Sequence, residues 1–123
     1  MIDCGDTFLT GDGKENNFHL WAVITPASEG EVVTVCVVTA HWKSERLVVL
    51  GHGDHPFIKH ESVVAYHFSK IRTIDDIEEL LVRGMARKRE PLAPALLKRI
   101  QVGLLDSDFT PNQVRSFFRE VMP

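Results

Sequence analysis

The sequence is short of most features that would classify it at a glance. It has two cysteines in 123 residues, Cys4 and Cys36. One stands near the N-terminus and the other within an apolar run, which is neither a disulfide framework nor the spacing of zinc ligands. A buried, reduced Cys36 is expected, as is common for free cysteines. Set among valines with no adjacent base, it lacks the surroundings that activate a thiol. No apolar run approaches the roughly 20 residues that a membrane helix needs, so no membrane association is expected. The opening residues lack a basic stretch followed by an apolar one, so no secretory leader is expected and the cytoplasm is the default location. Neither charge sign dominates: 14 Lys and Arg face 17 Asp and Glu, a net charge of -3. That balance excludes a strongly basic protein that coats nucleic acid, though not a local basic patch. The glycine pairs Gly11/Gly13 and Gly51/Gly53 lack the strand-to-helix setting of a phosphate-cradling loop. There is no serine elbow, and no cofactor is implied.

What is present is ordinary globular composition, 44% hydrophobic and 25% charged, in a chain of the length of one domain, 1–123, and long enough to bury a core. Residues 3–10 read as a short opening strand and 11–17 as a polar turn. FHLWAVIT (18–25) is rich in β-branched and aromatic residues and stops at Pro26. EVVTVCVVT (31–39) is the clearest strand; both of its faces are largely apolar, which predicts cover on both sides, by a barrel interior and by a helix or second subunit. RLVVL (46–50) and SVVAYHFSKI (62–71) add two further strands. The character then changes. Thr73 has the form of an N-cap, with Asp75 and Asp76 in the first turn and Gly84 as the stop. MARKRE (85–90) reads as a basic connector between helices, although its cations suit a phosphate backbone. Leu92, Leu96, Leu97, Ile100 and Leu104 predict a second helix ending near Gly103. Thr110-Pro111-Asn112-Gln113 resembles a capping box ahead of a third helix with the apolar face Val114, Phe117, Phe118 and Val121. Strands first and helices after predict an α+β fold: a small antiparallel β-barrel over about 3–72, then C-terminal helices over about 73–123.

The most site-like segment is GHGDHPFIKHE (51–61), a loop between strands carrying His52, His55 and His60. Three readings compete. Histidines exchange protons near neutral pH, and two of them suffice to cleave RNA without a metal, with Lys59, Arg46 or Lys43 stabilising charge on phosphate. Alternatively, His52 and Asp54 with His55 or His60 hold a metal, although the spacing matches no strong motif. In the third reading Asp54 caps a turn, His55-Pro56 fixes it, and the imidazoles bond backbone or face water. His41-Trp42-Lys43 offers a ring that could stack on a base or lie over the end of the core. His19 and Trp21 share one strand face.

The order of segments resembles the PemK/MazF-like toxins. The resemblance lies in Gly5-Asp6 before a short strand, WAVITP (21–26), VVTVCVVTA (32–40), and a later strand ending SKIRTID (69–75) that enters a helix; it spans roughly residues 3–83. It implies an SH3-like barrel with trailing helices, a homodimer, an antitoxin-like protein partner, and RNA as substrate for a metal-independent endoribonuclease. Family members carry a basic residue, often arginine, just before the second strand. Here that place holds Asn16-Asn17-Phe18-His19 with Lys14 nearby, so either His19 substitutes or the barrel has lost catalysis. Thr39 matches the threonine or serine that ends the family's third strand. The segment 51–62 lies outside the family pattern and suggests a divergent branch with its own site, or none. His19, Thr39, His55 and His60 are therefore the candidate catalytic residues of a toxin-like RNA-binding protein. The alternative is a non-catalytic protein–protein interaction module on the same barrel, favoured by the doubly apolar third strand and the apolar face of the last helix.

Overall fold

The computed structural model describes residues 1–11 and 18–122. Lys14 and the polar turn expected over 11–17 lie, apart from Gly11, outside the described residues. The strands are β1 (Thr7–Gly11), β2 (Phe18–Val23), β3 (Glu31–Thr39), β4 (Val49–Leu50), β5 (Ser62–Thr73) and β6 (Ala86–Arg89). The helices are α1 (Ile74–Val82), α2 (Pro94–Asp106) and α3 (Asn112–Val121). Among the described residues the fold is α+β, a curled six-stranded antiparallel sheet in the order β4-β5-β3-β2-β1-β6 with three helices.

The expected barrel is realised as a half-barrel, with β4 and β6 as its two edges. The physical reason lies on the inner face. Leu9, Leu20, Ala22, Val33, Val35, Val37, Val64 and Tyr66 share one core with Leu96, Ile100 and Leu104 of α2 and Val114 and Phe118 of α3. The two helices occupy the space that closing strands would need. The apolar face of α3 is thus spent on this chain's own core. On the outer face a smaller cluster joins Phe8, Val23 and Val32 to Ile77 of α1, so α1 supplies part of β3's second cover.

Several local expectations need correction. MARKRE is not a connector: residues 86–89 form β6, paired antiparallel with β1. The free edge of β1 offers a row of backbone donors and acceptors, and a short, cationic strand both fills it and blunts the new edge. The strand expected over 46–50 shrinks to Val49–Leu50, while Arg46 turns out to an exposed ion pair with Glu61 at 2.6 Å. The helix start at Thr73 stands as read: Thr73 Oγ1 accepts from the Asp76 N–H at 3.1 Å. Gly84 follows that helix at φ +73°, the left-handed region that favours glycine, and the next N–H, that of Met85, closes on Leu80 O.

The second helix does not stop near Gly103 but runs on to Asp106. Gly103 is there because Tyr66 crosses it. The Tyr66 hydroxyl donates to Ile100 O at 2.8 Å, and a Cβ on residue 103 would overlap Tyr66 Oη and stand 2.8 Å from Val48 Cγ2. The capping box before α3 is also absent. Pro111 holds the cap position without a side-chain bond, and the Thr110 hydroxyl donates to Leu104 O at 2.7 Å. Arg115 turns back to donate to Leu105 O and Ser107 O at 2.6 and 2.7 Å, so α3 caps the end of α2.

Alanine is favoured over glycine inside a helix by about 1 kcal/mol, yet overpacking a core commonly costs about 1–3 kcal/mol. Gly103→Ala is therefore expected to destabilise the protein, measured as a lower urea midpoint; a raised midpoint would show that Tyr66 moves aside freely.

Candidate functional site

The histidine-rich loop 51–61 is ordered by its own side chains. The Gly51 N–H donates to Asp54 Oδ2 at 2.7 Å, which caps the turn. The next residue but one, Pro56, leads into Phe57 and Ile58, which insert toward the main core. His55 lies beneath the surface, 3% exposed. Its Nδ1 accepts from the Phe57 N–H at 3.1 Å. The proton therefore sits on Nε2, which donates to Glu90 O at 2.7 Å and lies 3.3 Å from Thr7 Oγ1. The Thr7 hydroxyl donates to the same carbonyl at 2.6 Å. Both ring nitrogens of His55 are thus used in holding the chain together.

The other three candidates border a common hollow. His19 at the start of β2, Thr39 at the end of β3, and His60 with its neighbour Lys59 line one concavity of about 280 Å³. Leu20, Val37 and Ile58 form its apolar floor and Phe57 part of its wall. The burial of His55 and Ile58 fixes the loop's path and so carries Lys59 and His60 to the ends of β2 and β3. Lys59, His60 and Thr39 are exposed and His19 is half-buried. The histidines at 52 and 55 do not line this concavity; His52 is exposed. Among the described residues, no group of three or more His, Cys, Asp or Glu side chains is placed to hold a metal ion. None of the described helices is long and apolar enough to cross a membrane.

The sequence reading passed over a second feature, on the outer face. Arg72 and Lys70 of β5 stand over the Trp21 ring at 4.6 and 5.2 Å, and Arg72 Nε donates to Thr34 Oγ1 at 3.2 Å. Burial pushes the pKa values of both cations down, and the Arg72 charge lowers that of Lys70 further. Cys36 lies under them, and desolvation pushes its thiol up to about 12. The signal for this cluster was present in the alternation of Trp21 with Leu20, but the partner strand could not be read from it. No protein-family model matches the chain, and no curated protein is similar to it in sequence.

Two outcomes are expected. His55→Ala should lower stability by about 2–3 kcal/mol in urea unfolding, through the lost packing and the orphaned Phe57 N–H; a change within about 0.5 kcal/mol, the usual range for a surface site, would show that the imidazole is dispensable to the fold. With iodoacetamide near pH 8, exposed Cys4 should be alkylated in the native protein and Cys36 only after unfolding. Equal labelling of both in native protein would contradict the burial of the Cys36 thiolate precursor.

Proposed function

We propose that the protein binds RNA and cleaves it without a metal, using His19 and His60 as the proton-exchanging pair. The observation that carries this reading is that His19, Thr39, Lys59 and His60, from three separate stretches of chain, line one concavity. In this reaction one imidazole takes the proton of a ribose 2′-hydroxyl. The freed oxygen attacks the adjacent phosphorus, the bond to the 5′-oxygen of the next nucleotide breaks, and the other imidazole protonates that leaving oxygen. The products are a 2′,3′-cyclic phosphate and a 5′-hydroxyl end. The Lys59 ammonium and the Thr39 hydroxyl supply the stabilisation of charge on the phosphate oxygens in this reading. His55 supports the fold and takes no part in proton transfer.

The resemblance to PemK/MazF-like toxins agrees with this chemistry. It adds to the proposal an SH3-like identity for the curled sheet, a homodimer and an antitoxin-like protein partner. His19 then stands where that family carries its basic residue before the second strand. A second reading, a non-catalytic module that docks a protein, draws on the exposed rings of Trp42, Phe68 and Phe109.

General acid–base groups typically contribute about 10²–10⁴-fold. His19→Ala and His60→Ala should each reduce cleavage of a single-stranded RNA by at least about 10²-fold in the presence of EDTA, with the urea midpoint of the exposed His60 variant unchanged. Undiminished cleavage by the two folded variants would remove the histidines from the reaction. No cleavage by the wild-type protein on any RNA would favour the module.

A further inference from the structure

Val38 and Thr39 line not only the His19–His60 concavity but also a larger one, of about 600 Å³. Val63 and Ala65 of β5 contribute to its apolar lining, with His67, Phe68, Lys43 and Phe109 around it. Its shape comes from an irregularity in the β3–β5 ladder. Thr34 pairs with Lys70 and Cys36 with Ala65, so Val35 alone opposes Tyr66, His67, Phe68 and Ser69. Tyr66 turns into the core, and the Ser69 hydroxyl donates back to Tyr66 O at 2.6 Å. The surplus chain is thereby thrown outward, and Phe68 is 53% exposed beside His67, the two ring centroids 4.0 Å apart. Bulges commonly re-aim side chains in this way next to functional sites. Trp42 is 85% exposed with Lys43 Nζ 4.8 Å from its ring centroid.

The same face continues to the cations over Trp21. Trp21 lies opposite Cys36 and Cys36 opposite Ala65, so their side chains share one side of the sheet. From Thr34 beside Lys70 to Val38 beside Val63 is about 13 Å along β3, at roughly 3.3 Å per residue. Among the described residues the ion pairs are those of Arg46, Arg83, Lys88 and Arg89, and no described carboxylate stands within 4.0 Å of Lys70 or Arg72; Asp76 acts on Arg72 from farther away. The acid lining the groove, Glu45, has the Ser107 hydroxyl 2.9 and 2.7 Å from its two oxygens. Aromatic surfaces interleaved with cations match the chemistry of a single nucleic-acid strand, whose bases stack and whose phosphates carry the charge.

We infer that this outer face is a track for single-stranded RNA. Bases enter the groove at Phe68, phosphates approach Lys70 and Arg72, and the strand passes over Thr39 into the concavity of His19 and His60. The inference rests on the RNA-directed reading above and extends it to a substrate that must be unpaired, because a duplex cannot offer its bases to the groove.

The test is fluorescence anisotropy with a labelled, roughly 12-nucleotide single strand whose 2′-hydroxyls are methylated, so that it binds without being cut. Phe68→Ala is expected to weaken binding about tenfold with an unchanged salt slope. Lys70→Gln is expected to weaken it and to reduce the slope of log K against log salt by about 0.7, the value for one phosphate contact on a single strand; Lys70→Arg should restore it. Both positions are exposed, and urea midpoints check that the variants fold. Wild-type affinity in both variants, with unmodified RNA still cut by the wild-type protein, overturns the track and leaves the cleavage reading standing. Weakened binding in the variants without any cleavage of unmodified RNA supports the track and removes the acid–base reaction. Equal affinity for a duplex, or no binding of any single strand as expected were the groove a seat for a protein segment, overturns the track.

Discussion

One carbonyl oxygen, that of Glu90, accepts from both the Thr7 hydroxyl and the His55 imidazole. That junction ties the first strand, the loop after β4 and the segment entering α2 into one buried knot. An unpaired polar group there would cost on the order of 1–3 kcal/mol, so the three segments hold one another in place. The loop's direction follows from it. With His55 drawn inward and Ile58 buried behind it, Lys59 and His60 emerge beside the ends of β2 and β3. Without the knot, the side chains around the smaller concavity would have no fixed relation to His19 and Thr39.

A second constraint acts on the same inner face, at β5. Tyr66 must reach Ile100 O across Gly103, and the strand carrying it must still pair with β3 at both ends. The ladder reconciles these demands by opposing four residues of β5 to Val35 alone. The excess appears outside as His67 and Phe68, at the edge of an apolar groove. Inner-face packing thus shapes the outer surface, and a change at Gly103 or Tyr66 would be felt at Phe68. Burial accounts equally for the inert thiol of Cys36 and for the lowered pKa values of Lys70 and Arg72, since each sits where the charged form is poorly solvated.

Much of the fold was legible because it depends on short-range pattern. The alternation in residues 31–39, the stop at Pro26, the N-cap at Thr73 and the glycine after α1 are all properties of a few adjacent residues, and each appears in the structure at or near its expected place. The misreadings share another cause. MARKRE carries no strand pattern of its own and becomes β6 because the edge of β1 is vacant. Gly103 looks like a helix end and is instead a point of close approach, set by a tyrosine far away in sequence. Thr110 has a cap residue's form, but Pro111 holds the cap position and the Thr110 hydroxyl donates to Leu104 O.

The candidate residues divide along the same line. Composition and spacing singled out His19, Thr39, His55 and His60 as residues of one chemical type in suggestive places. Only the folded chain separated them, sending His55 to main-chain partners and bringing the other three to one hollow. By itself the sequence determined the element types, their order and the strands-then-helices character, since these follow from local propensity and periodicity. Closure of the sheet, the identity of its edge strand, and which imidazoles face solvent together were decided by tertiary packing, because they depend on which distant groups compete for the same buried volume and the same backbone acceptors.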